Sequence, residues 1–183
     1  MRRILKVAAS TVGIALAIYA VIVAAFAWQL RTITDVSRYD DLIRRWDPSL
    51  VDHFPKRIPV NAMKQSLSFF PGFLQGGAHL QLRIELPAAD VAREEVRMSQ
   101  LSTHVYQRGE RTYPDPYDNA TRDVPLPPFH TGDKKSSAGF PADYILYFLF
   151  AQPGESAPWN HGQTTGVAVS RQTSELVYWA ESW

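Results

Sequence analysis

The chain has 183 residues, 45% hydrophobic and 20% charged, with a formal net charge of +1 at pH 7, a composition of folded rather than disordered or fibrous proteins. Three of its 19 lysines and arginines, Arg2, Arg3 and Lys6, precede Leu30 and none of its 18 acidic residues does, so residues 31–183 keep 16 cations against 18 anions, a formal charge of −2. Without a cationic surplus to displace condensed counterions that part is no nucleic-acid-binding domain, and without cysteine the chain forms no disulfide, thiolate nucleophile or cysteine-ligated metal centre.

Residues 7–30, VAASTVGIALAIYAVIVAAFAWQL, run for 24 residues without a formal charge. At about 1.5 Å of helical rise per residue they exceed the roughly 30 Å apolar core of a bilayer. In lipid such a run is helical, because only intrachain bonds satisfy its backbone. Ala25-Phe26-Ala27 also fits a signal-peptide cleavage site behind the cationic MRRILK, but the run is longer than the roughly 7 to 15 apolar residues of a cleaved signal, which favours a retained anchor over 1–30. A helix buried in a soluble core is disfavoured, because no polar face interrupts the run. The cations ahead of it place the N-terminus inside and residues 31–183 outside the cytoplasm.

In residues 31–48, Ile33, Val36, Tyr39, Ile43 and Trp46 recur at helical spacing, which predicts a juxtamembrane helix stopped by Pro48. Ser49 then caps a single turn before Pro55 and Pro59 enforce extended backbone. Residues 67–70 read as a short strand closed by Pro71-Gly72 and Gly76-Gly77. Residues 78–86 alternate Leu80, Leu82, Ile84 and Leu86 with His79, Gln81, Arg83 and Glu85, which predicts a strand with one face in the core and the other in water. Pro87 opens a helix with Val91, Met98, Leu101 and Val105 as its core face, ended by Gly109. Residues 109–142 are proline-rich without a period, a long loop of a kind that in compact domains is either functional or partly disordered. Residues 143–151, DYILYFLFA, are apolar on both faces, as in a central strand, and residues 164–171 and 175–183 form a hairpin. The order predicts an α+β domain over 49–183, with an antiparallel sheet of about five strands and one packed helix, behind an N-terminal transmembrane helix.

The five histidines, His53, His79, His104, His130 and His161, form no HxH, HxxxH or HExxH pattern, so neither a metal site nor a cofactor is predicted. No GxSxG elbow, phosphate loop or GxGxxG follows a strand, and no catalytic residue is assigned. The candidate ligand residues are Trp159, Asn160 and His161, ahead of Gly162, with Arg83 on the polar face of its strand. An indole can pack on a ligand while amide and imidazole direct hydrogen bonds to it. The alternative is a turn whose Trp covers the core and whose Asn bonds its own backbone.

Three groups of residues carry a resemblance: His53-Phe54-Pro55-Lys56 with Ile58-Pro59; Pro71-Gly72-Phe73-Leu74-Gln75-Gly76-Gly77 with Leu80-Gln81-Leu82-Arg83; and Trp159-Asn160-His161-Gly162 with Gly166-Val167-Ala168-Val169 and Val177-Tyr178-Trp179-Ala180-Glu181. As a set they resemble small bacterial proteins with one N-terminal membrane segment and no assigned activity. The resemblance implies a bacterial membrane-anchored domain and supplies no catalytic residue. The expected function is a non-enzymatic accessory or assembly subunit of an envelope complex in the cytoplasmic membrane, touching lipid through residues 7–30 and a protein partner outside. The alternative is a binding module for a small molecule or envelope polymer. A hydrolase stands third, and would need a pocket joining His79 or His161 to a carboxylate.

Overall fold

The structure, a computed structural model, describes residues 16–21, 23–24, 31–72, 77–107, 126–132, 139–152 and 162–182. The chain divides into two units, Met1–Arg31 and Thr32–Trp183. In the first, residues 16–21 and 23–24 are helical and exposed. The rest of the predicted span, 7–15, 22 and 25–30, lies outside the described residues, and among the described residues no helix is long and apolar enough to cross a membrane.

The second unit is built on an antiparallel sheet of six strands: β1 (Lys64–Phe70), β2 (Ala78–Glu85), β3 (His104–Gln107), β4 (Tyr144–Gln152), β5 (Gln163–Ser170) and β6 (Glu175–Ser182), in the order β1-β2-β6-β5-β4-β3. The α+β class and the antiparallel sheet agree with the sequence reading, and the count of about five strands is corrected to six. The missed strand is β3. The helix opened by Pro87 runs Ala88–Leu101 and stops well short of Gly109. Thr103 turns the chain into the sheet, its N–H and hydroxyl both donating to the Phe148 carbonyl at 2.7 and 3.2 Å. Val105, read as the last core residue of that helix, is instead an exposed β-branched residue on the edge strand, where its stiff side chain is well accommodated.

Among the described residues three helices flank the sheet: α1 (Tyr39–Ile43), α2 (Pro48–Val51) and α3 (Ala88–Leu101). Residues 31–48 are not one helix. Ile33 exchanges backbone hydrogen bonds with Phe69 at 2.8 and 2.9 Å, which draws the chain along the outer edge of β1 before a 3-10 turn, Val36–Arg38, leads into α1. Pro48 opens α2 instead of ending a helix. The cap is Asp47, whose carboxylate accepts from the Ser49 N–H at 2.9 Å and the Ser49 hydroxyl at 2.8 Å.

Cross-strand register sorts the side chains into two faces. On the first, Leu67, Leu82, Tyr178, Val167 and Tyr147 form one row, and Ile84, Leu176 and Val169 another. Tyr39, Leu42, Leu50, Val51, Phe54, Val91 and Met98 from the helices and their flanks close over this face. The second face has rows Phe70-His79-Glu181-Thr164, Ser68-Gln81-Trp179-Gly166-Phe148 and Ser66-Arg83-Val177-Ala168-Leu146. It was expected to be wet, yet Gln81 and Trp179 are fully buried. The described parts of the proline-rich stretch cover it: Phe129 and Phe140 stack on each other at 4.7 Å and pack with Tyr144, Leu146, Phe148 and Trp179. Gly166 admits the indole across the strand pair, since a Cβ there would stand 2.5 Å from the Trp179 ring and 2.2 Å from the Tyr147 carbonyl oxygen.

Candidate functional site

Pairing in the sheet brings together polar residues far apart in the chain. Phe70, His79 and Glu181 are successive cross-strand partners on β1, β2 and β6, and Ser68 lies two residues back along β1 on the same face. Residues 126–132 cross above them. His130 lays its ring flat on His79, with centroids 3.6 Å apart and planes 5° apart. Its Nε2 and Glu181 Oε1 share a hydrogen bond of 3.0 Å, and His79 Nε2 and Ser68 Oγ one of 2.9 Å. The neighbouring rung ties the same segment down: Gln81 Nε2 donates to the Pro128 carbonyl at 3.0 Å, and Gln81 Oε1 accepts from the Thr131 N–H and hydroxyl at 2.8 and 2.9 Å.

Burial shifts two groups of this cluster. His79 is pushed down to about 3, first by burial and then by the charge of the neighbouring His130. Glu181 is raised, burial outweighing the hydrogen bond from His130. A neutral imidazole on a neutral or singly charged neighbour is the state that a 3.6 Å stack accommodates. Ser68 has the partner of a nucleophile, but it is 4% exposed and its imidazole is too weak a base to hold the hydroxyl proton near neutral pH. The hydroxyl of Thr164, in the same row, and the indole N–H of Trp179 are buried without a partner among the described residues. Among the described residues no group of three or more histidine, aspartate or glutamate side chains is placed to hold a metal.

Of the residues singled out in the sequence, Trp159, Asn160 and His161 lie outside the described residues, as do Phe73 to Gly76 of the second resemblance group. Gly162 is described and buried, one residue before Gln163, which pairs with Ser182 beside Glu181. Arg83 is half-buried on the second face. It faces Glu175 at 4.0 Å and the Ser66 hydroxyl at 3.5 Å, and its guanidinium sits 5.6 Å from the centre of the Phe129 ring.

No protein-family model, curated protein or solved structure matches the chain.

A second concave region lies on the helical side, where His53 to Pro59, the first resemblance group, faces α3 across a cavity of about 410 Å³. Asn61 donates to Asp90 at 2.7 Å at one end, and Arg97 reaches the His53 carbonyl at 3.5 Å at the other. Tyr178 donates to Glu94 at 3.1 Å from the floor. The His53 ring packs on Phe54 and Tyr178, and its Nε2–H donates to the Trp179 carbonyl at 3.0 Å. Burial holds it down to about 4.

Ser68, His130 and Glu181 were not singled out as site residues in the sequence. The signal that bears on them is a charged residue, Glu181, on the same strand face as Trp179 and Val177. His130 carries none, because its partner is 51 residues away and its own segment has no period.

Proposed function

We propose that the chain is a single-pass protein of the bacterial cytoplasmic membrane, N-terminus inside, whose folded unit stands outside the cytoplasm as a non-enzymatic accessory or assembly subunit of an envelope complex. The observation that carries the non-enzymatic reading is the Ser68–His79 pair, whose hydroxyl is buried and whose imidazole is held near 3, so that it clasps structure and lacks the access and basicity for attack. The uncharged run over 7–30 and the cations ahead of it support the anchor and its orientation. Exposed Leu101, the last residue of α3, and exposed Val105 on β3 support a protein partner, because they offer apolar surface to another chain.

Solubilising native membranes in mild detergents and following the chain by size tests the reading. Co-migration with partners well above the 20.7 kDa of the chain is expected, and a monomer in every detergent refutes it. Protease added to intact spheroplasts is expected to digest residues 32–183, and protection refutes the topology.

The second reading, a binding module for a small molecule or envelope polymer through Trp159, Asn160 and His161, is favoured by one observation. Gln152 and Gly162, which flank that loop, lie at the same end of the sheet as His79 and Glu181. Arg83 belongs to the same face, but its guanidinium is already engaged by Glu175 and Phe129. Trp159→Ala with His161→Ala is expected to abolish pelleting with isolated cell-wall polymer at unchanged Tm; a fall in Tm assigns the loop to the core.

A further inference from the structure

Residues 126–132 are held on the second face by the amide of Gln81, the Phe129 ring beside Phe140 and Arg83, the hydrogen bond between His130 and Glu181, and the imidazole of His130 on that of His79. The Gln81 and Phe129 contacts do not respond to pH in the acid range. The stack does, and its geometry tolerates one positive charge but not two, because parallel imidazoliums 3.6 Å apart repel with little water between them. We propose that the His79–His130 stack is an acid-released clasp, which keeps residues 126–132 seated while His79 is neutral and lets them lift from the sheet as it gains a proton.

The groups facing the stack set the sign. From β1 the Ser68 hydroxyl meets His79, and Phe70 lies beside it at 6.1 Å. From β6 the Glu181 carboxylate meets His130, and from β5 Thr164 completes the row. Arg83, two residues along β2, is turned toward Glu175 and Phe129. Lifting the segment returns His79 to water, where it takes up a proton near 6.5, whereas the closed state holds it near 3. The closed state is therefore favoured in full above about 6.5, and the open fraction rises up to tenfold for each pH unit below that. Glu181 acts in the opposite sense, since burial makes it keep its proton more readily in the closed state, and it moderates the slope.

Amide hydrogen exchange on the full chain in detergent micelles, from pH 7.5 to 4.5 and corrected for intrinsic exchange, tests the clasp. Protection of residues 126–132 is expected to fall toward tenfold per unit below about 6.5, while the paired amides of β5 and β6 stay protected. His79→Phe keeps a ring in the stack and is expected to remove the slope; Glu181→Gln removes the opposing group and is expected to steepen it. A flat profile in the native chain, or the same slope in His79→Phe, overturns the proposal. If His79→Phe does not fold, the native His79 ring is followed by NMR: a midpoint far below 6.5 in the closed state supports the clasp, and one at or above 6.5 overturns it.

Discussion

Gln81 has no exposed surface, and an amide is tolerated there only because both its ends are used. One donates to Pro128, the other accepts twice from Thr131. Gln81→Leu keeps the volume but strands the Thr131 N–H and the Pro128 carbonyl in the interior. The expected cost is about 2 to 3 kcal/mol, seen as a lower urea midpoint at unchanged slope. Gly166 is constrained in another way. A methyl group there meets the Tyr147 carbonyl, which cannot move without breaking the β4–β5 ladder, and the Trp179 ring. Gly166→Ala is expected to cost about 3 kcal/mol in the same measurement. Neither role was legible in the sequence. Gln81 alternates with leucines as a wet residue does, and what buries it arrives from residues with no local pattern. A glycine within a strand does signal close approach, but the approaching side chain is named only by the register of β5 on β6.

At the scale of elements, strands β2, β4, β5 and β6 were legible to within a residue or so, because period-two alternation or a doubly apolar run is a local property of the strand. The end of α3 was not, because Leu101 and Val105 continue its period and a tertiary contact, Thr103 with the Phe148 carbonyl, decides against it. Residues 31–48 failed as a helix for the same reason, since Ile33 is taken up by β1. What fastens α3 to the sheet is also tertiary. Glu95 is buried on its inner face, accepting from the Tyr147 hydroxyl at 3.0 Å and the Arg171 guanidinium at 2.5 Å. Burial and this bond push the Tyr147 hydroxyl up to about 12. Glu95→Ala leaves that hydroxyl buried without its acceptor and is expected to cost about 1 to 3 kcal/mol, with Arg171 adding little because it is largely exposed. In a double-mutant cycle, adding Tyr147→Phe is expected to cost less than the sum of the single changes.

At the scale of the molecule, two imidazoles on opposite sides of the sheet are kept neutral by burial, His53 down to about 4 and His79 to about 3. Both take up protons near 6.5 once unfolded. Their stabilising effect is thus complete above about 6.5 and is lost as pH falls toward 4, at up to about 1.4 kcal/mol per unit for each, with Glu181 opposing the His79 share. The His53 share is set on the helical side and the His79 share beneath residues 126–132, so His53→Phe is expected to remove half or more of the slope while sparing the acid-dependent exchange of 126–132. The unit that unfolds is Thr32–Trp183. Among the described residues the first face is covered by α1 to α3 and their flanks, the second by Phe129 and Phe140. A chain beginning at Thr32 is therefore expected to fold in water without detergent, and to unfold in one cooperative urea transition with the same pH slope as the full chain. Loss of cooperativity, or precipitation relieved by detergent, would show instead that residues 1–31 complete the folded unit.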